Sequence, residues 1–266
     1  MEPKIDLHIH TWFSDGASSP TDIVKRAKEA GYDKIAITDH DGVDGLEEAL
    51  EAGEQEGIHV IPGIELATET ADGTELHILG YGFDRNDPHF QEILADLRKK
   101  RETRNQKLLA VLKNMGYPLS MKDLTLREGQ RFVGKPIIAR AMVKKGYVQK
   151  PKDAFEKGKF LESPEAKKVK KEKLNTADAI HLIRQAGGTA VLAHPIQIRD
   201  FGEPGSEAFY QKTEKLIEEL KKEGLGGLEC FHPDQSPEES ERFARIAKKQ
   251  GLRITRGSDF HGSEYK

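Results

Sequence analysis

The side chains with which this chain could do chemistry are mostly histidines and carboxylates, and most of them stand at the ends of β-like runs. His8 and His10 close KIDLHIH at i, i+2, a spacing that puts both imidazoles on one face of an extended segment. Asp39 and His40 end KIAITDH, Glu65 lies near the end of IHVIPGIEL, His77 is in the following β-rich stretch ELHILGYGF, and His194 ends TAVLAHP. His232 follows GLECF, while Asp259 and His261 end LRITRGSDFH, again at i, i+2. Imidazole with carboxylate suits divalent Zn, Mn or Fe, and the single cysteine, Cys230, excludes an internal disulfide and any multi-cysteine zinc site. One such histidine alone reads as a hydrogen-bonded structural residue; six segments that each end in ligand-type side chains read as one converging site. His59, His89 and His181 fall outside this pattern, and Asp15, in the turn SDG, is explained equally by turn chemistry.

Positioning these groups requires strand ends to meet on one rim. The segments alternate strand and helix, as in KIDLHIH followed by TDIVKRAKEAGY, where Ser19 to Asp22 provide a helix entry and Gly31 a stop. The same grammar continues through KIAITDH, GLEEALEAGEQEG and IHVIPGIEL, and returns after residue 175 with TADAIHLIRQAGG, TAVLAHP and the segments that follow. Such alternation implies an α/β fold with a mostly parallel sheet, closed or nearly closed, whose strand C-termini share a cavity.

Residues 85–175 break the pattern with two amphipathic helices, in HFQEILADLRKKRETRNQKLLAVLKNMG and GKPIIARAMVKKG, and no strong strand between them. They hold 24 Lys and Arg against 11 Asp and Glu, a local balance of +13 inside a chain of net charge −3. A polyanion partner and a merely solvated Lys-rich surface account for that surplus equally well. The run PEAKKVKKEKL is apolar-poor and is expected to be an exposed or mobile connection. With 36% hydrophobic and 33% charged residues and no long apolar run, the chain can build a core but not a membrane span. No secretory leader is recognisable, so a cytoplasmic protein is expected.

The motifs DLHIHTWFSDG, ITDHDG, PGIELAT, LHILGYG, VLAHP, ECFHPDQSPE and GSDFHG resemble, in order, spacing and chemistry, those of the PHP (polymerase and histidinol phosphatase) family. The resemblance implies a distorted seven-stranded (β/α) barrel over residues 1–84 and 176–266, with residues 85–175 as a helical insertion capping the site. It implies two or three divalent ions. One would be held by His8, His10, Glu65 and Asp259, a second by Glu65 with His77 and His194, and a third by Asp15, His40 and His261. Within the family the chain looks most like the branch of 3′,5′-nucleotide bisphosphate phosphatases and the 5′-to-3′ exoribonuclease of short 5′-phosphorylated RNA. That branch has an insertion motif like GRPHxAR, matched here by GKPIIAR, with Lys135 for Arg and Ile137 for His.

The reaction implied is hydrolysis of a phosphate ester by metal-activated hydroxide, with Glu65, Asp259 and His232 as catalytic groups. Lys135, Arg140, Arg199 and His232 would contact the substrate, either a phosphorylated small molecule or a short oligonucleotide. Without the motif, Lys135 and Arg140 are ordinary helix-surface charge. Two other readings compete: a non-catalytic module that holds nucleic acid or protein on its basic insertion, and an amidohydrolase-like enzyme acting on carbon. The sequence does not choose between mononucleotide and oligonucleotide.

Overall fold

The computed structural model describes residues 3–124 and 126–262. Its strands are β1 (Ile5–Ile9), β2 (Lys34–Ile37), β3 (His59–Glu69), β4 (Glu75–Tyr81), β5 (Leu174–Asn175), β6 (Thr189–Leu192), β7 (Gly227–Phe231) and β8 (Arg253–Arg256). Seven of them run in the order β1-β2-β3-β4-β6-β7-β8, and the two-residue β5 adds to β3. A parallel bridge between Ile9 and Phe260 joins the two ends, so the sheet is a nearly closed barrel.

The sheet is less uniformly parallel than the strand–helix alternation suggests, because β4 is antiparallel to both β3 and β6. The cause is local. Only five residues separate β3 from β4, with Gly73 at φ +90° and the Thr70 N–H donating to the Thr74 carbonyl, so the chain makes a hairpin where a parallel crossover would need a dozen residues or more. Reversal puts His77, near the start of β4, opposite Ala67 on the same rim as the C-terminal ends of the other strands.

The helices are α1 (Pro20–Glu29), α2 (Leu46–Glu56), α3 (Pro88–Asn114), α4 (Lys135–Lys144), α5 (Pro164–Lys167), α6 (Thr176–Gln185), α7 (Glu207–Lys222) and α8 (Pro237–Gln250). Ser19 caps α1 by accepting from the Asp22 N–H, with Pro20 at the first position, as the sequence predicts. Ser236 and Glu239 close a reciprocal capping box on α8. No described helix is long and apolar enough to cross a membrane.

Two hydrophobic cores follow from this arrangement. The larger lies between the barrel and its helices and includes Phe90, Leu94, Leu97, Phe209 and Phe243, all essentially inaccessible; such side chains contribute roughly 1.5–3 kcal/mol each on burial. The smaller holds Leu108, Leu112, Ile138, Met142 and Leu161. Helix α3 serves both, its first turns in the barrel core and its last in the other, so the boundary between cores runs through the helix. Ile137 packs into the smaller core. The Lys-rich run is more ordered than its composition suggests: it forms α5, buries Ala166, and directs Lys171 onto the buried carboxylate of Asp41 at 2.5 Å.

Candidate metal centre

Glu65 is the hub of the rim. Its side chain is 1% exposed, and five imidazoles converge on it. Oε1 lies 2.7 Å from His77 Nδ1, 3.0 Å from His194 Nε2 and 3.4 Å from His8 Nε2; Oε2 lies 2.8 Å from His40 Nδ1 and 3.3 Å from His10 Nε2. Asp259 Oδ1 is 3.2 Å from His10 Nε2 and 3.4 Å from His8 Nε2, while its Oδ2 faces His232 Nε2 at 3.5 Å. Asp15 stands 3.3 Å from His261 Nε2 and 3.7 Å from His40 Nε2. All nine residues that the sequence reading assigned to metals therefore meet on one rim, with His232 beside them.

The donor atoms cluster tightly enough to hold ions in three groups: His8, His10 and Glu65; His40, Glu65 and His77; and His10, Asp15, His40 and His261. His40 thus stands between the second and third groups, where the resemblance placed it only in the third. Among the described residues, the buried atoms His8 Nε2, His10 Nε2, Asp15 Oδ1 and Glu65 Oε2 have no well-formed hydrogen bond. Leaving such atoms unsatisfied costs about 1–3 kcal/mol each, and shared divalent cations would remove that cost. The residues present fit the metals.

Electrostatics keeps several donors in their coordinating forms. Burial, together with His261 and His40, pushes the His10 imidazole down to about 3, so it is neutral. Burial raises the Glu65 carboxyl, but His77, His40 and His8 outweigh it and hold the group well below the usual carboxylate range.

A supporting layer fixes these groups. The fully buried Glu229 accepts from His8 Nδ1 at 3.1 Å and from the His194 backbone N–H at 2.7 Å, orienting two ligand-type histidines at once. His194 needs that anchor, because its φ of +23° is a left-handed conformation of a kind that costs about 1–3 kcal/mol off glycine. Asp259 and Asp41 are left-handed too. At Gly257 a Cβ would run into His8 and Glu229, so only glycine lets β8 leave the barrel there. Asp39, which stands at a strand end like the ligands, instead accepts from Thr11 N–H, Thr11 Oγ1 and Ser14 Oγ, ordering the loop that carries Asp15. The insertion grips the same loop, with Arg127 Nη1 donating to the Ala17 carbonyl at 2.7 Å and Gln130 Nε2 to that of Ser14 at 3.1 Å.

A cavity of about 630 Å³ opens between the rim and the insertion. Asp15, His40 and His77 line its rim side; Lys135 and Arg199 also line it, as expected of substrate contacts, whereas Arg140, further along α4, is not among its lining residues. Sequence reasoning missed Glu229, Asp41, Arg101, Arg104, Phe132 and Lys171. Glu229 carried a sign, being an acid inside the otherwise buried run GLECF; Arg101 and Arg104 carried another, since i, i+3 places both on one helix face.

A barrel rim that gathers seven imidazoles around three carboxylates defines a metal-dependent hydrolase. The PHP domain matches residues 6–230. A 5′-3′ exoribonuclease of Haemophilus influenzae is 33% identical over 98% of this chain and 91% of its own length. A 3′,5′-nucleoside bisphosphate phosphatase of Chromobacterium violaceum is 32% identical over 97% of this chain and 87% of its own. Among solved structures, one from Bifidobacterium adolescentis described as a metal-dependent phosphoesterase superposes with a TM-score of 0.86, at 30% identity over 99% of this chain and 90% of that one. The chain belongs to the PHP family. Its class of activity is that of a metal-dependent phosphoesterase.

Proposed function

We propose that this chain hydrolyses a phosphate ester of a nucleotide 3′,5′-bisphosphate, or of the 5′ end of a short 5′-phosphorylated oligonucleotide. One observation carries the reading: the ligand-rich rim opens directly onto a cavity whose far wall is cationic. His8, His10, Glu65 and Asp259 would hold one ion, Glu65 with His77 and His194 a second, and Asp15, His40 and His261 a third. Bound divalent ions at such a site lower the pKa of water and neutralise phosphoryl oxygens.

The chain's own residues supply the rest. Lys135 and Arg199, on the cavity wall, offset the charge of the ester. His232 Nδ1 accepts from the Asp234 backbone N–H at 3.2 Å, which places the proton of the neutral ring on Nε2, the atom facing Asp259. His232 is therefore a donor toward the rim, suited to protonate a leaving oxygen. Asp259 accepts from that N–H and holds the ring in place.

The test is phosphate release from adenosine 3′,5′-bisphosphate and from a 5′-phosphorylated trinucleotide with added Mn²⁺, beside His8→Ala/His10→Ala. Turnover of the bisphosphate alone identifies a mononucleotide pocket, and trimming of the trinucleotide an exonuclease groove. If neither substrate is cleaved with Mn²⁺, Zn²⁺ or Fe²⁺, the proposal fails.

A further inference from the structure

Behind the rim, three cations share one carboxylate. Asp41 is gripped by Arg101 and by Lys171, and Arg104 stands one turn from Arg101 on α3. The cluster carries two positive charges more than it neutralises, although Arg104 is 8% exposed and the Lys171 side chain 8%. Arg104 has no hydrogen bond or ion pair among the described residues, and its Nε is buried without a partner. Other acids on the cavity wall are engaged elsewhere, Glu162 with Lys135 and Lys167 and Glu75 with Lys173. An unpaired buried guanidinium is costly, so its retention calls for an anion absent from the chain itself.

A second feature of the same wall points the same way. Gly134, Lys135 and Pro136 begin the ten-residue helix α4 and line the cavity, and no side chain caps that end. An uncapped helix N-terminus favours negative charge. Phe132 connects this wall to the rim, with the Arg101 guanidinium 3.9 Å from its ring centre and the His40 ring 6.0 Å away.

We infer that Arg104, with Arg101, Lys171 and the N-terminus of α4, forms an anion subsite that holds a second phosphate of the substrate, one that is not hydrolysed. This rests on the phosphoesterase reading and deepens it: the enzyme selects esters with two phosphates, and Arg104 is the residue that counts the second.

Two measurements test the subsite. In the first, the full chain is freed of metal by chelation and titrated with inorganic phosphate, following heat of binding and Tm. The wild type is expected to bind and to melt higher with phosphate. Arg104→Met is expected to melt higher than the wild type without phosphate, because an uncompensated charge is gone, and to lose the response to phosphate. A purely structural arginine gives the reverse, a lower Tm with the phosphate response intact, and that result overturns the inference. So does a stripped wild type that does not bind phosphate.

In the second, kcat/KM for adenosine 3′,5′-bisphosphate is divided by that for adenosine 5′-monophosphate in the metal-loaded enzyme. The ratio should fall at least about tenfold in Arg104→Met, with Arg104→Lys between the two because it keeps charge without the planar fork. An unchanged ratio overturns the subsite. Should Arg104→Met fail to fold, Arg104→Lys alone decides, by weaker phosphate binding and a lower ratio. If the wild type cleaves neither nucleotide, the phosphoesterase reading has failed, while the titration of the stripped chain still decides whether the subsite exists.

Discussion

The rim and the insertion wall face each other across one cavity and are built on opposite electrostatic plans. On the rim each carboxylate is surrounded by imidazoles, and a further buried layer, Glu229 and Asp39, fixes the angles of the ligand-type residues and their loop. The wall has cations in excess, carried by long side chains from α3, α4 and the Lys-rich run. Groups that must hold metal ions need fixed distances; groups that neutralise a diffusing phosphate need net charge and reach. The difference teaches that the barrel supplies geometry while the insertion supplies potential.

The most damaging change to this division should be Glu65→Gln, which removes the charge all five imidazoles face. Phosphate release is expected to fall by at least about three orders of magnitude, with metal content per chain falling in parallel. A variant that kept its metals and its rate would break the comparison. Next in size is Leu108→Ala, which opens a void in the smaller core and should cost about 2–5 kcal/mol by urea unfolding. Cys230 reports on the barrel at the same time, since burial and the charge of Glu229 push its thiol up to about 12 and leave it unreactive until β7 opens. Faster proteolysis of the insertion without faster labelling of Cys230 is the expected pattern; equal acceleration of both would make the two cores one cooperative unit.

Glu229→Gln keeps the size of the side chain but weakens its hold on His8 and His194, and should lower metal affinity about 10- to 100-fold in a competition titration. Smallest is Gln130→Ala. It removes one hydrogen bond between insertion and rim, worth about 1 kcal/mol, and should show as faster hydrogen exchange of the loop around Asp15.

Much of the barrel was legible because its strands and helices repeat with different hydrophobic periods and because His8/His10 and Asp259/His261 fall at strand spacing. The reversed β4 was less so: Ala-Asp-Gly between two β runs is a hairpin turn, yet the surrounding strand–helix rhythm argues for crossovers. The cationic subsite was hidden for a different reason. Among 24 Lys and Arg in residues 85–175, which ones are buried depends on where α3 lies against Asp41, and that is decided by Phe90, Leu94 and Leu97 far along the same helix. Glu229 and Asp39 hold metal-site residues indirectly, so neither has a motif of its own.

The shared helix has a mechanical consequence. At 27 residues, α3 is about 40 Å long, clamped at one end in the larger core and carrying the smaller core at the other. The return path to the barrel is a thin strap, fastened by Lys171 and the two-residue β5. One stiff beam and one cord make a cantilever, not a two-hinged door: the insertion can bow toward or away from the rim, but its stiff attachment resists sideways swing, so successive substrates meet the cationic wall at nearly the same azimuth.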